Sequence, residues 1–250
     1  MARRANDNPA VEAGARVGYA ASGVLHLVLG WLAIQLVLGD NAQNTDQTGA
    51  LRQVAGTPAG SLLLWALLAG FVLLGVWNAT EAVARSGRDR AKPAAKVVVY
   101  AALALTAWSV LRGSSSGADQ TQGVTARLMS TSFGVLLVGA IGLAVLGVGV
   151  HHVAKGARAT FLRDLREHPR AWVVRLGRLG YVAKGVALGI VGALFVFAAA
   201  THDPAKAGGL DAALHALLEV PAGGVFVSAV ALGFACFGGY SFARARYAKV

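Results

Sequence analysis

The sequence predicts an all-α membrane protein with six transmembrane helices arranged as three tandem two-helix repeats. Its composition favours a membrane: 56% of the 250 residues are hydrophobic and 14% are charged, whereas soluble domains have about 45–50% and about 25%. Six apolar runs follow one another, separated by polar segments. Tyr19, Tyr100 and Tyr181 open every second run at an interval of 81 residues, and a fixed interval is typical of internal repeats.

Each apolar run is interpreted as one membrane span, because about 20 apolar residues cross the hydrocarbon core. The predicted spans are residues 17–38, 59–80, 97–111, 133–150, 180–200 and 222–243. The first run is longer than the apolar core of a signal peptide, about 7–15 residues, so we expect a retained helix. The third run is short, and the charged groups of Lys96 and Arg112 are expected to reach outward from its ends.

The loops on one side are predicted to contain short amphipathic helices. The clearest has an apolar stripe with helical spacing i, i+4, i+7 and i+8, formed by Leu210, Leu214, Leu217 and Leu218. Asp211, His215 and Glu219 form its polar stripe. Ordinary polar faces often show this spacing, so we expect a helix at the outer interface and no metal site.

Lysine and arginine are distributed unevenly between the two sides. Of the 23 in the chain, 18 lie in the termini and in the loops 81–96 and 151–180, four lie on the opposite side, and Lys184 lies within a span. The positive-inside rule therefore places both termini in the cytoplasm of a multi-pass plasma-membrane protein. The rule also accounts for the net charge of +11 without nucleic acid as a partner, and it favours anionic lipids at the cytoplasmic face.

The repeat interval divides the chain into four parts. We predict a cytoplasmic N-terminal tail over residues 1–15 and three repeats, which cover residues 16–90, 91–170 and 171–250. The second repeat is expected to end in a basic amphipathic cytoplasmic helix that is interrupted at Pro169. Three parallel repeats of this kind are expected to form a bundle around a pseudo-threefold axis along the membrane normal.

The motif Arg-x-Gly-Tyr-x-Ala-x-Gly covers residues 16–23 of the first repeat and 178–185 of the third. This motif, placed before a helix pair with a polar outer loop, resembles the actinobacterial domain-of-unknown-function 1206 family. The resemblance covers about residues 14–246 and implies three two-helix membrane repeats. The middle copy, residues 97–104, lacks both glycines. The resemblance implies no activity, cofactor or assigned site.

His26, Lys184 and Gln35 form the candidate intramembrane polar site. Ionisable residues at this depth are costly and usually face the bundle interior or a cavity. His26 is expected either to contact a proton or solute, or to be a neutral ring bonded within the bundle, for instance to Ser22 one turn away. Lys184 either extends its ammonium to the cytoplasmic surface or points inward, to the depth of His26. In the second case it is expected to form a polar cluster with Gln35, Thr106 and Ser109.

Glu81, Lys155 and Arg244 occupy equivalent positions at the cytoplasmic ends of the even-numbered spans. They are expected either to pair across repeats as a charge ring or to be solvated flanking charges. An aromatic girdle at the head-group level is predicted beside them, formed by Tyr19, Tyr100, Tyr181, Trp77, His151 and Tyr240. Glycine-rich seams are expected to bring helix backbones close together. They comprise Gly14 and Gly18, Gly185 and Gly189, and the row Gly139, Gly142, Gly147 and Gly149.

The sequence contains no motif that is typical of an enzyme. It lacks a nucleophile–base pair, a phosphate loop, paired catalytic carboxylates and clustered metal ligands, so we expect neither catalysis nor a cofactor. The favoured function is a non-catalytic membrane protein that binds lipid or an unidentified membrane protein partner. The alternative is a conduit for a small solute or ion through the centre of the repeats, which requires a polar lining.

Overall fold

The computed structural model describes residues 9–39, 45–56, 58–84, 91–113, 117–165 and 169–247. These residues form α-helices and two short 3-10 helices, Thr160–Asp164 and Pro204–Lys206, and no β-strand. The all-α prediction is therefore confirmed for the described residues. The α-helices are α1 (Pro9–Val37), α2 (Gln47–Ala55), α3 (Pro58–Ala84), α4 (Ala91–Leu111), α5 (Gly117–Met129), α6 (Ser132–Ala157), α7 (Ala171–Thr201), α8 (Leu210–Leu218) and α9 (Gly223–Tyr247).

Within the described residues, five helices are long and apolar enough to cross a membrane. These segments are Gly18–Val37, Gly60–Thr80, Ser132–Ala157, Ala171–Thr201 and Gly223–Tyr247. The apolar part of α4, Lys96–Leu111, is shorter, so a sixth span stays a prediction. Large apolar side chains such as Leu62, Leu73 and Phe133 are more than two-thirds exposed. Such helices and surfaces are typical of a multi-pass membrane protein.

The chain folds into two compact units. The larger unit comprises Met1–Gln47 and Ala118–Val250, and the smaller unit comprises Thr48–Gly117. In the smaller unit α3 packs against α4, and the rings of Trp65 and Trp108 meet edge to face at 6.1 Å. In the larger unit α9 packs against both α1 and α7, and α7 also packs against α6. Closure of three repeats around a common axis stays a prediction.

The most extensive helix pairs join different repeats. α3 pairs with α4, α6 with α7, and α9 with α1. In each pair an even-numbered apolar run contacts an odd-numbered run from another repeat. In the larger unit, therefore, side chains from the first and third repeats meet along α1 and α9.

Close backbone contact joins α6 to α7. A Cβ atom on Gly149 would lie 2.7 Å from the backbone nitrogen of Gly189, and one on Gly185 would lie 2.6 Å from the Gly149 carbonyl oxygen. Lipid supplies little hydrophobic drive between helices, so tight van der Waals packing is the main attraction along this seam. The predicted packing role is seen at these positions, whereas a Cβ on Gly147 would have no atom within 4 Å.

The basic segment that follows α6 does not form the predicted amphipathic helix over residues 158–165, and the prediction is wrong there, whereas residues 171–178, beyond Pro169, are helical as the start of α7. α6 ends at Ala157, a 3-10 helix covers Thr160–Asp164, and α7 begins at Ala171. The turn allows Phe161 and Leu165 to be buried in an aromatic cluster against α7 and α9. A straight helix lying on the membrane would leave both side chains in the lipid interface, away from this cluster.

The short helix predicted from the leucine spacing is present as α8, and α2 and α5 occupy the corresponding loops of the other repeats. α8 is bonded to the loop after α1, because the backbone N–H of Thr45 donates to the Asp211 carboxylate at 2.7 Å. The same carboxylate lies 3.5 Å from Nδ1 of His215. Asp211 therefore joins helix α8 to the loop after α1, and so links the first and third repeats.

Replacing Asp211 with alanine is expected to destabilise the larger unit by about 2 kcal/mol, because a buried N–H loses a charged acceptor. Hydrogen exchange of the Thr45 amide should become faster, and the midpoint of thermal unfolding in detergent should fall. Glu219→Ala, at an exposed position at the end of α8, is the matched control. Equal exchange rates in the two variants would contradict this role of Asp211.

Candidate functional site

Four helices of the larger unit surround a pocket of about 490 Å³. The pocket lies where α1 and α7 begin and where α6 and α9 end. Its lining, which we call the basic pocket, consists of Gly18, Tyr19, Ser22, His152, Tyr181, Lys184, Phe237, Ser241 and Arg244. Two of these residues, Lys184 and Arg244, are cationic, and none of the nine described residues is acidic.

His26 lies directly behind Lys184. Its side chain is 5% exposed, and its Nδ1 atom lies 2.7 Å from the Ser22 carbonyl oxygen. Because a carbonyl oxygen only accepts, Nδ1 carries the hydrogen and donates it. The other ring nitrogen, Nε2, lies 3.3 Å from the Lys184 Nζ atom. An ammonium only donates, so Nε2 accepts and the imidazole is neutral in this arrangement.

The side chain of Lys184 points into the bundle, towards His26, and away from the end of α7. Its ammonium lies 4.6 Å from the centre of the Phe237 ring, a cation–π contact. Phe237 also packs against the imidazole of His26, with ring centroids 4.5 Å apart. The Lys184 ammonium is therefore in contact with a neutral imidazole and with the face of an aromatic ring.

Arg244 and Lys155, two members of the predicted charge ring, both lie against Tyr181. Nη1 of Arg244 donates to the Tyr181 hydroxyl at 3.4 Å, and its guanidinium lies over the Tyr19 ring at 4.4 Å. The Lys155 ammonium lies 5.3 Å from the centre of the Tyr181 ring. The side chain of Glu81, the third member, lies outside the described part of the structure. Two basic side chains from different repeats, Arg244 and Lys155, therefore contact the same tyrosine.

Gln35 does not line the basic pocket. It follows His26 by nine residues on α1, which corresponds to about two and a half turns and to the opposite side of the helix. The structure therefore brings together two of the three residues in the candidate intramembrane site. In the smaller unit, the hydroxyls of Thr106 and Ser109 donate to carbonyl oxygens of their own helix.

Two aromatic residues of the predicted girdle are buried instead. Tyr240 is 0% exposed and Tyr181 is 3% exposed, because both pack on Phe161 with ring centroids 5.0 and 5.2 Å away. The girdle prediction is therefore wrong at these positions. Their burial reflects the turn after α6, which carries Phe161 beneath the ends of α7 and α9.

Several lining residues were not singled out as site residues, although the repeat register contains a signal for them. Tyr19 and Tyr181 are equivalent positions, as are Ser22 and Lys184, and all four line the basic pocket. His152 and Ser241 are likewise equivalent, each three residues after a glycine near the end of an even-numbered run. Superimposing the repeats would have selected these residues, since α7 and α9 pack side by side next to α1 and α6.

The arrangement suits an anion. Lys184 and Arg244 are charged donors, and charge-assisted hydrogen bonds to phosphate or carboxylate oxygens are short and strong. The Tyr181 oxygen accepts from Arg244, which leaves its own hydroxyl hydrogen as a further donor. The Ser241 hydroxyl donates to the Phe237 carbonyl oxygen at 2.8 Å, so this serine mainly supports α9.

Comparison with known proteins identifies a relative and a family. The chain is 28% identical over 253 residues to "Uncharacterized protein YxxB" from Bacillus subtilis (strain 168), covering 96% of this chain and 92% of the relative. Because that relative comes from Bacillus, the expected actinobacterial origin is not supported. No solved structure matches the chain. The model of the family described as Domain of Unknown Function (DUF1206) matches residues 17–85, 91–159 and 179–248, and the chain belongs to this family.

Proposed function

We propose that this protein is a non-catalytic membrane protein that binds an anionic lipid, with the phosphate of the head group in the basic pocket. The observation that carries the proposal is the convergence of two basic side chains, Lys184 and Arg244, on one pocket. A phosphate at this position could accept charge-assisted hydrogen bonds from both side chains.

A lipid fits this pocket better than a free anion, because apolar side chains are exposed on the helices that form it. Val24 and Leu27 on α1, Val186 on α7 and Phe242 on α9 are each about two-fifths exposed. Acyl chains can lie on these surfaces while the head group occupies the pocket. The excess of lysine and arginine at this end supports a cytoplasmic position in the plasma membrane, whose inner leaflet contains anionic lipids.

A conduit is less well supported by the same geometry. A path through the bundle needs polar groups along its length, and the conduit hypothesis expects His26, Lys184 and Gln35 to share one interior. His26 and Lys184 are in contact, but Gln35 lies on the other side of α1. A ligand held at one end of the bundle requires Lys184 and Arg244, which line the basic pocket, and does not require Gln35.

The proposal is tested by lipid binding to the purified full-length protein. Native mass spectrometry would compare phosphatidylglycerol with phosphatidylcholine at equal concentrations, and a third arm would add inorganic phosphate as competitor. We expect preferential retention of phosphatidylglycerol. Lys184→Gln should weaken its binding about tenfold or more, because a charge-assisted hydrogen bond is lost. Lys206→Gln, which removes a lysine paired with Asp203 near the outer loop, is the control and should bind as the original protein does.

Two results would count against the proposal. Equal retention of the two lipids, unchanged by Lys184→Gln, would show that the pocket does not select an anionic head group. Displacement of the lipid by inorganic phosphate at comparable concentrations would show that the acyl chains contribute nothing, and that the ligand is a soluble anion.

A further inference from the structure

We infer that binding of the anionic head group in the basic pocket is coupled to uptake of a proton by His26. This inference rests on the proposed function, because it assigns a proton to the same site. His26 does not line the pocket itself, but it touches the one lysine that does. The empty and occupied pockets therefore present different charges to the same buried ring.

The first step is the state of the empty pocket. The Lys184 ammonium lies 3.3 Å from Nε2 of His26, and the described groups packed on the imidazole include the rings of Phe234 and Phe237. A proton on Nε2 would place two positive charges side by side in surroundings that screen them poorly. That proton would also occupy the nitrogen that now accepts the hydrogen bond from Lys184. Without a ligand, the ring is therefore expected to stay neutral.

The second step is the effect of an anion. A phosphate bound at Lys184 and Arg244 cancels the positive charge next to the ring. The lysine can turn its ammonium to the phosphate, because its four-carbon stem is flexible. Nε2 can then take a proton from solvent, while Nδ1 keeps its hydrogen bond to the Ser22 carbonyl. Release of the lipid returns the proton to solvent.

Other charged or titratable groups surround the same site, and each element contributes some of them. They are Tyr19 on α1, His152 and Lys155 on α6, Lys184 and Tyr181 on α7, and Arg244 on α9. Among these, His152 is the competing candidate for a proton near neutral pH. It differs from His26 in position, because its Nδ1 bonds to the Val148 carbonyl oxygen at 2.9 Å and its ring packs beside Tyr181.

The experiment measures protons directly. Short-chain phosphatidylglycerol is titrated into the full-length protein in a neutral detergent, by calorimetry in two buffers of equal neutral pH but different ionisation enthalpy. The difference in heat is expected to report uptake of up to about one proton per lipid. By linkage, a complex that holds more protons binds more tightly as the pH falls. The affinity should therefore decrease as the pH is raised.

Two histidine variants locate the proton. His26→Gln retains a donor for Ser22 and an acceptor for Lys184 but cannot titrate, so it should bind the lipid with the proton uptake lost. If the His26→Gln variant does not elute as a folded protein, the His26→Asn variant is used in its place. His215→Gln, on the outer helix α8, is the control and should show the original uptake.

The results separate this inference from the proposed function. Lipid binding without proton uptake in the original protein would overturn the coupling and leave lipid binding intact. Uptake that persists in His26→Gln but disappears in His152→Gln would likewise overturn it, since the proton would belong to the other histidine. Failure of phosphatidylglycerol to bind at all would overturn both.

Discussion

Replacing Gly149 with valine is expected to separate α6 from α7 and to destabilise the larger unit by about 3 kcal/mol. The new Cβ would lie 2.7 Å from the Gly189 backbone nitrogen and 2.8 Å from the Gly185 carbonyl oxygen. Both atoms belong to a helix backbone, so a side-chain rotation cannot relieve the overlap. The helices must move apart, and this seam then loses the tight packing on which helix association in lipid depends.

The measurement is the unfolding midpoint in detergent, together with cross-linking between cysteines placed on α6 and α7. Gly147→Val is the matched control, because a Cβ at that position on the same helix meets no atom within 4 Å. We expect the control to unfold close to the original protein. If the two valine variants unfold alike, the close approach of α6 and α7 at Gly149 does not stabilise the fold.

Replacing Phe161 with alanine is expected to cost about 3–5 kcal/mol, the range for removing a buried aromatic ring. Phe161 is 0% exposed and stacks on Tyr181 at an interplanar angle of 17°. It lies beyond the membrane-spanning part of α6, so water drives its burial in the ordinary way. Because Tyr181 lines the basic pocket, the loss of this ring should also weaken head-group binding.

Denaturant unfolding and hydrogen exchange over Thr160–Asp164 would measure this effect. Phe133→Ala removes the same ring from a position on α6 that is 75% exposed, and it should change the stability much less. Similar losses for the two alanine variants would mean that Phe161 does not anchor the turn to α7 and α9.

Long apolar runs predicted most of the spanning helices, because the cost of exposing backbone polar groups to lipid favours a helix in such a segment. The outer helix α8 was likewise predicted from the spacing of its leucines. The turn after α6 was not predicted from the sequence. Its arginines, together with Phe161 and Leu165, have the pattern of an amphipathic helix, and only the aromatic cluster formed with α7 and α9 explains why the chain bends there.

Part of the candidate site was predicted from the cost of placing polar side chains in lipid. His26 and Lys184 stood out because ionisable residues in a membrane span are costly, and the structure brings them into contact. Gln35 stood out as a polar residue of the same span, but depth alone carries no information about which side of α1 a residue occupies relative to its neighbours. Tyr181 and Tyr240 are of a residue type that is common in interfacial girdles. Their burial results from packing on the ring of Phe161, which belongs to the tertiary structure.

The sequence by itself determined that this chain is built from helices, that most of them are apolar enough to span a membrane, and that one pattern is repeated at an interval of 81 residues. These are local properties, set by hydropathy and helix periodicity within each segment. The tertiary structure alone decided that α9 packs against both α1 and α7. Side chains from the first and third repeats meet there because glycines allow backbones to approach, and this contact turns His26, Lys184 and Arg244 into one site.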